Sequence, residues 1–254
     1  MVRTRCTVCG KPAAYKCKYC GDTLCEEHLS PEMHWCMGLE EYKRDIEAGR
    51  TVLMAKPNEK MRKKVNANIF GIFSHNYSYL LLFLLSISFV LQLLIPRPYY
   101  TELLILDPLL VLERPWTLVT HIFLHGGFEH FFFNMLFFIF FGPVLERKIG
   151  STKFLLIFFL SGIFAGIGWT LTSAYPALGA SGALMGIFAT LAVLMPRMRV
   201  YFFFLIPMEI WMVVVLFALF DFIMLGSGDM IAHTAHLSGL LFGLVAGMWL
   251  KKTF

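Results

Sequence analysis

Two polar residues, Ser181 and His236, lie in long apolar stretches of the sequence. A serine hydroxyl hydrogen-bonded to an imidazole is the minimum arrangement that activates the hydroxyl for attack on a carbonyl carbon. Each residue alone has a simpler interpretation, because serine and histidine in apolar helices often form packing contacts or interhelical hydrogen bonds. A catalytic role therefore depends on elements that bring the two side chains together.

Other polar side chains interrupt the apolar stretches, among them His130, Asn134 and His233. Polar groups in a membrane are costly, and they usually face a partner or a cavity. His130 and Asn134 are four residues apart and therefore share one face of a helix. A hydrogen bond that holds the neighbouring loop is an alternative role for this pair. The roles of Asp221, Glu209 and His233 stay open.

The composition indicates a membrane protein. The chain has 254 residues, of which 57% are hydrophobic and 15% charged, whereas soluble domains are about 25% charged. More than half of the 22 Lys and Arg residues lie in the first 68 positions. A small polar head and a large apolar body are thus predicted. The net charge of +5 is explained by basic residues beside membrane spans, so no nucleic-acid partner is expected.

Six apolar runs in the body are long enough to predict transmembrane helices. They cover residues 75–95, 127–146, 153–173, 180–196, 200–225 and 231–250. Lys and Arg residues lie before the first run, between the second and third, between the fourth and fifth, and after the sixth. This positive-inside pattern predicts a multi-pass membrane protein with cytoplasmic N- and C-termini.

In this orientation, His130, Ser181 and His236 each follow the outer start of a span by a few residues. At about 1.5 Å per residue, they share a depth of roughly 5–10 Å below the outer surface. Glycines at four-residue spacing follow both Ser181 and His236. Such spacing allows two helices to approach closely, which would bring Ser181 within reach of His236 in a site open toward the outer face.

Three motifs carry a resemblance to a known family. They read His130-Phe-Phe-Phe-Asn134, Gly179-Ala-Ser181-Gly182 and Ala235-His236-Leu-Ser-Gly239-Leu-Leu-Phe-Gly243, in order on the second, fourth and sixth predicted spans. Over about residues 70–254, the chain resembles the rhomboid family of intramembrane serine proteases. The resemblance implies an all-α, six-helix membrane bundle.

The resemblance also implies a catalytic Ser181–His236 dyad without an aspartate. It further implies an oxyanion hole formed by the Ser181 N–H and the side chains of His130 and Asn134, with Gly179 in the same substrate-binding region. The expected activity is a serine endopeptidase that cleaves transmembrane segments of membrane proteins in the lipid bilayer, with no catalytic cofactor.

Other functions stay open at this stage. An inactive rhomboid-like protein would bind membrane-protein clients without cleaving them, and a small-solute transporter would carry a cytoplasmic zinc sensor. The GxGD pattern at residues 226–229 is typical of intramembrane aspartyl proteases, but these need two aspartates that face each other within spans, and Asp229 is predicted in an outer loop. No HExxH motif of a zinc metalloprotease occurs in the sequence.

The polar head holds eight residues with metal-ligand chemistry. They are Cys6, Cys9, Cys17, Cys20, Cys25, His28, His34 and Cys36. Thiolate and imidazole ligands at this spacing are typical of tetrahedral zinc sites. A segment this short has little apolar area, so metal binding would supply much of its folding free energy.

The spacing of these ligands resembles the AN-one-type zinc finger, whose two ligand sets interleave. The resemblance implies one structural zinc on Cys6, Cys9, Cys25 and His28. It implies a second on the four remaining ligands, Cys17, Cys20, His34 and Cys36. A cytoplasmic partner of the finger is expected, of unknown identity.

The predicted domains are therefore a zinc finger at 1–38, a basic cytoplasmic linker at 39–70 and a six-span protease domain at 71–254. The linker contains a short polar helix at residues 40–47 and a basic run at residues 56–64.

Overall fold

A computed structural model describes residues 5–13, 15–50, 77–96, 99–202, 205–229 and 231–253. Most of these residues are helical. The chain divides into two compact units, Met1–His75 and Asn76–Phe254.

The N-terminal unit is a small, turn-rich structure. Strands β1 (Tyr15–Lys16) and β2 (Thr23–Leu24) form an antiparallel pair, and two short 3-10 turns follow at Glu26–His28 and Pro31–Met33. Helix α1 (Leu39–Glu47) then covers the predicted polar helix. The predicted basic run at 56–64 lies outside the described residues.

The larger unit is built from helices. They are α2 (Tyr77–Leu94), α3 (Thr101–Leu104), α4 (Thr117–Thr120), α5 (Phe128–Ile149), α6 (Ser151–Thr172), α7 (Ser181–Leu194), α8 (Ile210–Ile223) and α9 (His233–Thr253). Among the described residues, α2, α5 and α6 are long and apolar enough to cross a membrane, whereas α7 and α8 are shorter apolar helices. The short helices α3 and α4 lie in the long segment between α2 and α5.

The fifth predicted span, at 200–225, begins too early. Residues Arg199–Phe202 and Ile206–Glu209 form strands β3 and β4 of an antiparallel hairpin, and α8 begins only at Ile210. A short apolar run is compatible with a strand or with a helix, so hydrophobicity alone did not separate the two. The aromatic and β-branched residues of this run favour the strand.

A buried carboxylate joins the end of α5 to the start of α2. Glu146 accepts hydrogen bonds from the backbone N–H groups of Tyr77 and Ser78, at 2.7 and 2.8 Å. It also accepts one from the hydroxyl of Ser151 in the first turn of α6, at 2.7 Å. The first N–H groups of a helix have no partner within the helix, and a carboxylate satisfies them well. Glu146 thereby ties three helices together.

Helices α7 and α9 pack with their backbones in direct contact. A Cβ atom added to Gly239 would fall on the carbonyl group of Gly182, and one added to Gly243 would fall on Gly186. The hydroxyl of Thr190 lies 3.0 Å from the carbonyl oxygen of Gly243 across the same interface. Side chains at these glycines would separate the two helices that carry Ser181 and His236.

Gly239→Ala is therefore expected to lower the free energy of unfolding by about 1–3 kcal/mol, as overpacking in a rigid interior usually does. The measurement is thermal unfolding of the purified protein in detergent. Leu241→Ala is the control, because Leu241 lies on the same helix with 62% of its surface exposed. Equal unfolding temperatures for the two variants would contradict a backbone contact at Gly239.

Candidate active site and metal-ligand clusters

The side chains of Ser181 and His236 are in hydrogen-bond contact. Ser181 is the first residue of α7, and His236 lies in the first turn of α9. The distance between Ser181 Oγ and His236 Nε2 is 2.8 Å. Both side chains are partly buried. This contact joins a hydroxyl to a base that can accept its proton.

The chain before α7 positions Ser181 through backbone contacts with the long segment between α2 and α5. Leu106 and Ala177 exchange two backbone hydrogen bonds, at 3.1 and 2.8 Å. The N–H of Gly179 donates to the carbonyl of His121 at 2.9 Å. Gly179 has a φ of +130°, a conformation that favours glycine. These bonds hold the turn from which α7 begins.

His130 lies against this turn. A Cβ atom on Gly179 would come within 2.7 Å of the His130 ring, so a larger residue at this position would displace the ring. The backbone N–H of Gly126 donates to His130 Nδ1 at 3.1 Å. The proton of a neutral His130 ring is thereby assigned to Nε2, which is the ring nitrogen nearer to Gly179.

Asn134 is buried one turn after His130. Its side-chain nitrogen donates to the His130 carbonyl at 2.6 Å. An amide nitrogen carries two N–H groups, so one of them stays available to a ligand. The structure thus gathers Ser181, His236, His130 and Gly179 at one end of the bundle, and Asn134 lies one turn after His130 on α5.

The two other histidines of the preceding segment are buried. His121 Nδ1 donates to the Thr117 carbonyl at 2.7 Å. His125 packs edge-on against the rings of Phe89 and His130. Its backbone N–H donates to Gln92 on α2, at 3.0 Å. These contacts give both histidines structural partners within the bundle.

A carboxylate that the sequence interpretation left without a role lies behind His236. Asp221, near the end of α8, places Oδ1 at 3.1 Å from His236 Nδ1 and at 2.6 Å from His233 Nδ1. The other ring nitrogen of His233 lies 3.1 Å from a carboxylate oxygen of Asp229. The resemblance implied a dyad without an aspartate, whereas His236 here has a carboxylate neighbour. The sequence feature that could have indicated a role for Asp221 is a charged residue within an apolar helix.

Asp229 lies in the connection between α8 and α9. Its carboxylate accepts the backbone N–H of Ile231 at 2.9 Å. The hydrogen bond from His233 and that from Ile231 lower the pKa of Asp229. Asp229 and Asp221 both contact His233 instead of facing each other, which is unlike the paired aspartates of an aspartyl protease.

The eight metal-ligand residues of the N-terminal unit form two clusters. One contains Cys6, Cys9, Cys25 and His28, and the other contains Cys17, Cys20, His34 and Cys36. The ligand atoms of each cluster lie within 4.8 Å of one another. These are the two sets that the AN-one-type resemblance implies.

The distances within the clusters fit a tetrahedral ion. The Cys9 and Cys25 sulfurs are 3.6 Å apart, and those of Cys17 and Cys36 are 3.7 Å apart. Sulfurs at 2.3 Å from a tetrahedral zinc would be about 3.8 Å apart. His34 Nδ1 donates to the Ser30 carbonyl at 2.8 Å, which leaves Nε2 free to bind a metal.

The thiol pKa values of the clusters depend on burial and on whether a cation is bound. Burial raises the pKa of the Cys9 thiol to about 11 and that of Cys36 to about 11. Neutral thiols are poor ligands, and a bound cation would stabilise their thiolate forms. All six cysteines lie in the described residues as free thiols. The clusters could therefore bind zinc.

Comparison with known proteins gives the family of the larger unit. The family model described as the Rhomboid domain matches residues 112–253. The chain belongs to the rhomboid family. This confirms the family that the three motifs predicted. The matched residues include the Ser181–His236 contact, His130 and Asn134, and they do not include the two cysteine–histidine clusters.

Two relatives illustrate the similarity of the rhomboid domain. The chain is 30% identical to rhomboid protease GluP of Bacillus subtilis (strain 168) over 190 residues, which are 73% of this chain and 37% of GluP. It is 32% identical to rhomboid protease GlpG of Yersinia pestis (strain Pestoides F) over 144 residues, which are 53% of this chain and 48% of GlpG. The chain thus spans less than half the length of these relatives.

Proposed function

We propose that the protein is an intramembrane serine endopeptidase with Ser181 as nucleophile and His236 as general base. The 2.8 Å contact between Ser181 Oγ and His236 Nε2 carries this proposal. Membership of the rhomboid family and the similarity to GluP and GlpG support it. The retention of both side chains in hydrogen-bond contact disfavours an inactive client-binding protein.

In the proposed reaction, Ser181 Oγ attacks the carbonyl carbon of the scissile peptide bond while its proton passes to His236 Nε2. The tetrahedral intermediate then collapses, and His236 returns the proton to the leaving amine nitrogen. Water attacks the acyl-enzyme with His236 again as the base, which releases the second product and restores the hydroxyl.

The developing oxyanion would be stabilised by three N–H donors. The Ser181 backbone N–H lies at the start of α7, where helix N–H groups lack intrahelical partners. His130 would donate from Nε2, because Nδ1 accepts from Gly126. Asn134 would donate through its second N–H. Donors held in advance in a site with little water stabilise an oxyanion strongly.

The proposed substrates are transmembrane segments of other membrane proteins. The apolar surface of α2, α5 and α6 supports a location in the bilayer. We further propose that α7, α8 and α9 complete a six-span bundle with these three helices. Ser181 and His236 at the starts of α7 and α9 would then meet a substrate segment near one membrane surface, where it can unwind.

Ser181→Ala is expected to abolish cleavage of a transmembrane substrate by the protein reconstituted in liposomes, because the nucleophile is lost. Asn134→Ala should lower kcat by roughly 10²- to 10³-fold, since one oxyanion donor is removed. The measurement is the rate at which products appear on a gel. Ser86→Ala is the control, because the Ser86 hydroxyl donates to the Leu82 carbonyl of its own helix, at 2.8 Å.

Equal cleavage by the Ser181→Ala variant and the unchanged protein would refute the proposal. Substrate binding without cleavage by either protein, across several substrates, would support the client-binding alternative instead.

We also propose that the N- and C-termini are cytoplasmic and that the active site opens toward the outer face. Basic residues flank one set of helix ends: Arg147 and Lys148 in α5, Arg199 after α7, and Lys251 and Lys252 in α9. Ser181 and His236 lie at the opposite ends of α7 and α9. The positive-inside rule places the basic ends in the cytoplasm.

Alkaline phosphatase fused after Lys252 is expected to be inactive in a bacterial host, because the enzyme folds only outside the cytoplasm. The same enzyme inserted after Ser227, between α8 and α9, should be active. Colony assays with a chromogenic substrate measure both fusions, with immunoblots to control for expression. The reverse pattern would overturn the proposed orientation.

For the N-terminal unit, we propose two structural zinc ions, one in each cysteine–histidine cluster. Zinc would cross-link this unit and so stabilise a fold whose apolar core is small. In the described part of this unit, the buried apolar core is limited to a few side chains, among them Leu24 and Ala13. Four ligands in each cluster leave no open position for substrate, so a structural role follows. A partner of this unit remains a prediction from the sequence.

Purified protein is expected to contain two zinc ions per chain by elemental analysis. Cys36→Ser should lower the content toward one, because the second cluster loses a ligand, and it should speed proteolysis of the N-terminal unit. Lys11→Ala should keep two, since the Lys11 side chain forms an exposed ion pair with Glu27 and belongs to neither cluster. A zinc-free protein would contradict the assignment.

A further inference from the structure

The His236 ring has a partner at each nitrogen. Nε2 lies 2.8 Å from Ser181 Oγ, and Nδ1 lies 3.1 Å from Asp221 Oδ1. Asp221 comes from α8 and retains 2% of its side-chain surface exposed, against 14% for His236. A carboxylate oxygen only accepts hydrogen bonds. The proton of a neutral His236 ring is therefore held on Nδ1, and Nε2 keeps the lone pair that faces the serine.

We propose that Asp221 is a positioning residue of the active site, which holds His236 in the tautomer and orientation that accept the Ser181 proton. This inference rests on the proposed Ser181–His236 chemistry and adds a third group to it. When Ser181 Oγ transfers its proton to Nε2, the Nδ1 proton stays in place. The resulting imidazolium faces the Asp221 carboxylate, whose charge stabilises it.

A buried carboxylate needs compensation for its lost hydration. His233 provides it from the first position of α9. Its Nδ1 lies 2.6 Å from Asp221 Oδ1, and its Nε2 lies 3.1 Å from a carboxylate oxygen of Asp229. Between the two carboxylates, both ring nitrogens of His233 are placed to donate hydrogen bonds. Asp221 thus accepts a hydrogen bond from His233 as well as from His236.

The connection between α8 and α9 holds this arrangement in place. Asp229 is tied to its own backbone through the N–H of Ile231, at 2.9 Å. Among the described residues, Asp229 forms its histidine hydrogen bonds with His233 and not with His236. The two aspartates therefore have separable roles: Asp221 touches the general base directly, whereas Asp229 acts on it only through His233.

The tautomer of His236 is directly measurable. In protein labelled with 15N-histidine in detergent micelles, NMR is expected to show His236 protonated at Nδ1, with its signals identified by their loss in His236→Ala. Asp221→Asn should raise the Nε2-protonated fraction, because an amide can donate to Nδ1. A wild-type His236 protonated mainly at Nε2 would overturn the proposal, whatever the enzyme cleaves.

Kinetics provide the second readout. Asp221→Asn is expected to lower kcat by roughly 10-fold or more while KM stays unchanged, because the carboxylate acts on the base and not on substrate binding. Glu209→Gln is the matched control: Glu209 precedes the other end of α8 and accepts a hydrogen bond from Trp211, at 2.8 Å. Its kcat should match that of the unchanged protein.

Asp229→Asn separates positioning from simple charge balance. It leaves the contact between Asp221 and His236 in place, so it should keep the His236 tautomer and lose less kcat than Asp221→Asn. Equal losses in the two variants would overturn a direct role of Asp221. Ser181→Ala is assayed in parallel: cleavage by that variant would refute the proposed protease function, while the NMR result would still decide the role of Asp221.

Discussion

The close approach of α7 and α9 is the constraint on which the site depends. Ser181 and His236 are 55 positions apart and are carried by different helices. Their side chains are short, so the two helices must approach until their backbones touch. Gly239 and Gly243 permit this, because a Cβ on either would overlap the backbone of α7. The hydrogen bond between the Ser181 hydroxyl and the His236 imidazole thus depends on glycines, which have no side chain.

The apolar surroundings impose a second condition on the polar groups of the site. A buried donor or acceptor without a partner costs about 1–3 kcal/mol, and an unpaired charge costs more. Several buried polar groups at this end of the bundle have partners accordingly. His130 accepts from Gly126, and Asp221 accepts from two histidines. The hydrogen bonds that limit the cost of burial also fix the tautomers of the histidine rings. Acid–base chemistry requires such fixed tautomers.

The N-terminal unit differs from the helical unit in the source of its stability. Its described core holds few apolar side chains, and its strands are two residues long. With a bound cation to neutralise the thiolates, the closely spaced thiols and imidazoles would take the place of a large core. Burial raises the pKa values of the Cys9 and Cys36 thiols, so that these groups stay protonated unless a cation binds.

Much of the fold and of the candidate site is predictable from the sequence. The apolar runs located α2, α5 and α6 closely, because span length and hydrophobicity are local properties. The fifth run was misjudged at its start, where the β3–β4 hairpin precedes α8. Hairpin pairing depends on two segments meeting, and an apolar run of this kind is equally compatible with a helix.

For the site, residue types and their spacing are enough to predict the candidate residues, the family and the close packing at the glycines, because these are local properties. The hydrogen-bond partners of those residues follow only from the folded chain. The contacts of Asp221 with His236 and His233 join α8 to α9, and no spacing rule relates these positions. Proton assignments such as that of His130 follow from the same partners, because a hydrogen-bond neighbour selects the tautomer.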